Sequence, residues 1–140
     1  MNNMKLNEYQ QQLQLCKRQI QALEKLRKQQ ATIESQIKHA EVDIEKYEQD
    51  LKNARKKRNK LEGFSFVNLF RTWTGRQQEL LEERMDIIAA KELKLIEAQL
   101  MHEDLKDDLV DTIYKINAIN EPYLVDQIKQ LENKIQIYYM

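Results

Sequence analysis

The chain has 140 residues, a third of them charged, with two glycines, one proline and one cysteine. Its 23 basic and 23 acidic residues cancel, which removes any global electrostatic argument for nucleic acid as a partner. A composition this rich in Gln, Glu, Lys and Leu points to long helices and excludes a deep globular core, and the lone Cys16 excludes an intramolecular disulfide.

The first arm is expected over residues 5–62. Leu6, Tyr9, Leu13, Cys16, Ile20 and Leu23 recur at alternating steps of three and four, the heptad seam of a coiled coil. After a slip around Leu26 and Gln30 the pattern resumes at Ile33, Ile37, Ala40, Ile44, Tyr47, Leu51, Ala54 and Leu61, with Arg58 its one charged member. The slip is an extra step of three, a stammer, which overwinds a supercoil locally. A helix over this arm would be roughly 85 Å long at 1.5 Å per residue and needs a partner along its length.

Both glycines, all three phenylalanines and the only tryptophan fall between Gly63 and Gly75. Gly63 is the expected stop of the first helix, since glycine accepts a left-handed backbone. Ser65 is the expected N-cap of a short amphipathic tip helix with Phe66, Leu69, Phe70 and Trp73 on one face. Phe64 would pack on Leu69 as a hydrophobic staple, and Thr74 with Gln77 would form a capping box for the next helix. These aromatics are read first as a plug closing the end of a hairpin and second as a partner-binding tip comprising Phe64, Phe66, Leu69, Phe70, Arg71 and Trp73. Insertion of that tip into a membrane interface is a third reading.

The second arm is expected over residues 76–120. Leu81, Ile88, Leu95, His102, Leu109, Ile116 and Tyr123 repeat every seventh residue, with Ala98, Leu105, Thr112 and Ile119 in the companion positions. A second stripe, Leu93, Ile96 and Leu100, is surplus to a two-helix seam and marks a self-association face. Pro122 cannot sit inside the helix without loss of a backbone hydrogen bond, so a kink or short break is expected there. A last helix over residues 122–139 then restarts the seam at Leu124, Ile128, Leu131, Ile135 and Tyr138.

Residues 1–62 carry 14 Lys and Arg against 9 Asp and Glu, whereas residues 79–140 carry 7 against 14. Opposite charges favour the arms lying side by side and disfavour the pairing of like arms. A hairpin pivoting on the tip would pair residues whose numbers add to about 140. That register sets Lys52, Arg55, Lys56, Lys57, Arg58 and Lys60 beside Asp86, Glu83, Glu82 and Glu79. It also brings His39 near His102 and sets the acidic run Glu103, Asp104, Asp107, Asp108 and Asp111 partly opposite Arg27, Lys28 and Lys38. Two histidines without a further placed ligand make a poor metal signature, and the acidic run lacks the loop of a calcium-binding hand.

No catalytic constellation emerges. Cys16 would need an adjacent base, and His39 lies about 35 Å further along the same helix. Ser35 and Ser65 have no evident triad. No cofactor is implied. The start of the sequence has no apolar segment of signal-peptide type, and no apolar run approaches the roughly 20 residues that cross a bilayer. A cytoplasmic location is the expectation, with export without a cleaved signal as the alternative.

The residues Leu61, Glu62, Gly63, Ser65, Leu69, Phe70 and Gly75, followed by a Glu-rich helix, resemble the turn of bacterial coiled-coil hairpin proteins that have no assigned activity. The resemblance covers about a third of the chain and implies a helical hairpin. Trp73–Thr74–Gly75 also resembles the Trp-x-Gly turn of small helical hairpins exported by type VII systems, which implies a dimeric cargo or targeting partner. The tyrosine signal of that family is not matched, since Tyr123 has Asp126 three residues on, not four. The expected whole is a single all-α domain over residues 1–140, an antiparallel coiled-coil hairpin with a tip helix and a kinked C-terminal helix. Its expected role is non-enzymatic, as a self-associating interaction protein or scaffold with a protein partner.

Overall fold

The computed structural model describes the backbone of residues 2–68 and 75–140, and the side chains of residues 4–60 and 79–140. The fold is all-α. Among the described residues there are three helices and no strand: α1 (Asn2–Asn68), α2 (Gly75–Asn117) and α3 (Glu121–Tyr138). Packing divides the chain into two compact units, one of residues 1–34 with 107–140 and one of residues 35–106. Each is an antiparallel pairing of helices, as a helical hairpin requires.

In the first unit, the opening of α1 runs against the end of α2 and all of α3. Its buried side chains are Leu23, Ile33, Thr112, Leu124 and Leu131. Leu23 is 1% exposed, the most completely buried large side chain described, and it sits at the middle of the stammer, Ile20–Leu23–Leu26. Leu23 is the residue between two consecutive steps of three, a spacing that overwinds a heptad seam. Leu26 and Gln30 remain half-buried, so the slip shifts the phase of the seam without interrupting it. Thr112 is buried because its hydroxyl donates to the Asp108 carbonyl at 2.8 Å, the back-bond that lets threonine sit inside a helix.

The break before Pro122 is built by Asn120. Its side chain accepts a hydrogen bond from the Tyr123 backbone N–H at 3.2 Å, capping α3, and Pro122 occupies the first turn where no intrahelical donor is lost. This reset corrects one seam assignment. Tyr123 is 57% exposed, and Leu124, 5% exposed, takes the buried place. Leu131 is buried and Ile128 and Ile135 are half-buried on the restarted stripe. Replacing Asn120 by Ala is expected to cost about 1 kcal/mol of stability, read as a lower urea midpoint with an unchanged denaturant slope. A midpoint equal to that of the parent chain would remove the cap from this account.

In the second unit, α1 from Ser35 runs antiparallel to α2. Leu51, Ala54 and Ile88 form a buried cluster with Leu95 packed against it, and Ala40 and Leu105 are also buried. The expected seam positions Ile37, Ile44, Tyr47 and Arg58 are half-buried, as are Leu81, Ala98 and His102. Those intervals follow from the heptad spacing, because a residue every 3.5 positions returns to the same side of the helix.

Two expectations about the turn are corrected. α1 does not stop at Gly63 but continues to Asn68, so Gly63 is a helix-interior residue and Ser65 is not an N-cap. A glycine inside a helix costs only about 1 kcal/mol relative to alanine, too little to end a helix by itself. The ion-pair register differs as well. Lys17–Glu132, Arg27–Glu121, Arg55–Glu92 and His102–Glu41 have residue numbers adding to between 143 and 149, whereas the buried cluster of Leu51 and Ala54 with Ile88 gives 139 and 142, so the exposed ion pairs reach a few residues beyond the expected 140 while the core stays near it.

Candidate interaction surface

The side chains of the tip assigned to partner binding, Phe64, Phe66, Leu69, Phe70, Arg71 and Trp73, lie outside the described side chains, as do Thr74 and Gln77. The surplus stripe of α2 is described in full. Leu93, Ile96 and Leu100 are 56%, 50% and 61% exposed. Helical geometry places them about 160°, 100° and 140° round α2 from Leu95, which packs on the seam. Ala89, also exposed, extends the stripe by one step of four. Ala89, Leu93, Ile96 and Leu100 thus form a second heptad-spaced face, turned away from α1.

Charged groups bound this face. Glu92 is held by Arg55 across the seam, with Nη2 and Oε1 3.1 Å apart. Glu97, Asp86 and Glu103 are exposed, and Glu103 lies 3.8 Å from Lys106. Of the basic run on α1, Arg55 meets Glu92 rather than an acid at 79–86. Lys52, Arg55 and Lys56 line an open groove of about 360 Å³ floored by Leu51 and Leu95. On the other side of the seam, Lys57, Arg84 and Lys91 line a smaller one of about 190 Å³.

The polar groups of the seam are accounted for by neighbours. His102 is half-buried with Nε2 3.3 Å from Glu41 Oε1, and His39 is exposed. Glu41, two residues beyond His39 on α1, is the partner of His102. Among the described residues no group of three His, Cys, Asp or Glu side chains is arranged to hold a metal ion. Arg27 does not face the acidic run but makes a two-pronged contact with Glu121, Nη1 to Oε1 at 3.3 Å. The hydrogen bond from Arg27 holds the Glu121 carboxyl below the usual carboxylate range. Asp111 instead pairs with Lys115 along its own helix at 3.1 Å. Cys16 is half-buried at its seam position.

Two contacts had no counterpart in the sequence reading. Tyr9 meets Tyr138 with ring centroids 6.3 Å apart, and Lys134 Nζ lies 5.4 Å from the Tyr9 ring centre. Tyr9 and Tyr138 are both seam positions, and the antiparallel run of α3 along the start of α1 brings their rings together. Among the described residues no helix is long and apolar enough to cross a membrane. Comparison of the chain with protein-family models, with curated proteins and with solved structures gives no match.

Proposed function

We propose that the protein is a non-enzymatic coiled-coil interaction protein or scaffold, acting in the cytoplasm, that self-associates through the outer face of α2 and presents its remaining surfaces to a protein partner. The observation that carries this reading is the exposed stripe Leu93, Ile96 and Leu100. A helix already packed on one side gains nothing in a monomer from a second apolar stripe in strict heptad spacing, whereas a second helix laid along it would bury three large side chains per copy. Burying the exposed half of each contributes roughly 1 kcal/mol. Because both helices are already folded, little ordering entropy opposes the association. The thiol of Cys16, set within a seam, suits a reducing compartment.

The test is the mass in solution over a wide concentration range. The parent chain is expected to move from one to two copies, and the double variant Leu93→Ser/Leu100→Ser to stay at one with an unchanged melting curve. A parent chain that remains a single copy at millimolar concentration removes self-association from the proposal.

A further inference from the structure

From two cations set in the seam of α2 we infer that the smaller groove of the second unit, between Lys57, Arg84 and Lys91, is a binding site for a phosphate group, free or carried on a small organic ester. This goes beyond the interaction role just proposed and does not rest on self-association.

Sequence position is the first observation. The companion seam positions of α2 hold Ala98, Leu105, Thr112 and Ile119, and the same seven-residue spacing carried back from Ala98 falls on Lys91 and Arg84. Both are half-buried there. A charge at a seam position lowers the stability of a helix pair, and a charge drawn out of water is ordinarily met by an opposite one. His102, also in the seam, has Glu41 at 3.3 Å. Arg84 and Lys91 have no such neighbour. Three or four positions from them on α2 stand only Leu80, Leu81, Ile87, Ile88, Lys94 and Leu95, with no carboxylate. Among the described residues neither side chain, nor that of Lys57, makes an ion pair or a hydrogen bond. One polar seam residue is enough to fix register. Two cations in succession without a counter-charge point to a charge supplied from outside the chain.

Their arrangement is the second observation. Lys57 and Arg84 have numbers adding to 141, level with the buried cluster of Leu51 and Ala54 with Ile88, so two like charges stand at one level across the helix pair. Asp50, the one carboxylate lining the groove, is level with Lys91 instead, about 10 Å along α1 from Lys57. Asn53 lines the groove between them and carries an amide able to donate. Three cations against one carboxylate leave two positive charges over.

Charge and size choose the ligand. A phosphate group carries about −1.5 to −2 at pH 7 and matches that surplus, whereas a single carboxylate meets half of it. Arg84 supplies a planar fork that bonds two phosphate oxygens at once, and the two lysines supply point charges on flexible stems. The groove holds about 190 Å³, below the roughly 300–1,000 Å³ of pockets that enclose larger ligands, so it takes the phosphate group and leaves the rest of an ester outside. Ile87, 40% exposed in the groove wall, offers that remainder an apolar surface.

The test titrates the isotope-labelled full-length chain with inorganic phosphate, phenyl phosphate and acetate at constant ionic strength, reading backbone amide shifts by NMR. Saturable shifts are expected at residues 50–57 and 84–91, with both phosphates binding at least tenfold more tightly than acetate. Phenyl phosphate binding more tightly than the inorganic ion assigns the site to an ester, and equal binding assigns it to the free anion; either supports the site. The double variant Arg84→Leu/Lys91→Leu should bind phosphate at least tenfold more weakly while melting no lower than the parent chain in phosphate-free buffer, since apolar side chains suit the seam. Lys57→Gln, at an exposed position, leaves the seam untouched and should weaken phosphate binding several-fold. Shifts that do not saturate, acetate as tight as phosphate, or variants that bind as the parent does each overturn the site.

Discussion

Replacing Leu23 by alanine is expected to destabilise the protein by about 2–5 kcal/mol, more than any other single leucine-to-alanine change in the first unit. Leu23 is 1% exposed, so its methyl groups have no access to water from which a cavity could be refilled. The magnitude is a large part of the 5–15 kcal/mol that a folded domain has in total. Thermal unfolding followed by circular dichroism should move down by roughly 10 °C. Leu15→Ala, on the same helix at 56% exposure, is the control and should change stability by no more than about 0.5 kcal/mol. Equal losses for the two would mean that the stammer carries no special packing.

Much of this packing was legible in the sequence because burial along a paired helix depends on one variable, the angle of each residue round the axis. Every first-arm seam residue described from Leu6 to Arg58 is buried or half-buried. The break before Pro122 was legible for a different reason: proline removes a donor and Asn is a strong cap, so both act locally. Register along the axis is another matter. Sliding one helix by seven residues keeps every apolar contact of the same kind, and the ion pairs that distinguish the two positions are exposed pairs worth about 0–1 kcal/mol each. The run of bases at Lys52–Lys60 therefore did not fix which acid each base meets, and Arg55 reaches Glu92 rather than an acid at 79–86. Tyr123 failed for a related reason, since a cap resets the phase of the helix that follows it. The candidate self-association stripe was legible by elimination, as apolar spacing left over once the seam was filled.

α2 thus carries two heptad-spaced stripes of different status. One is closed by α1 through Ile88 and Leu95, and the other is open through Leu93, Ile96 and Leu100. Their apolar content is similar; what separates them is the neighbouring charge. The closed face meets a basic stretch of α1, with Arg55 reaching Glu92, whereas the open face is bounded by Asp86, Glu97 and Glu103. An acidic border discourages non-specific collapse between copies and leaves association possible only where the apolar layers coincide.

The same substitution made on the two stripes should therefore have opposite consequences. Ile88→Asp places a carboxylate at a site 5% exposed, within the cluster formed by Leu51 and Ala54. Loss of the buried side chain and the burial of a charge together should cost about 4 kcal/mol or more, enough to unfold the second unit or to leave it melting well below the parent chain. Ile96→Asp, eight positions further along the same helix and 50% exposed, should leave the melting curve within about 0.5 kcal/mol of the parent. Its effect should fall on mass instead, because self-association through this stripe would have to bury a carboxylate from each copy. Circular dichroism melts and sedimentation on the two variants read these outcomes independently. If Ile96→Asp unfolds the chain as Ile88→Asp does, the outer stripe belongs to the fold of the single copy, and the open face of α2 is not a surface for a second one.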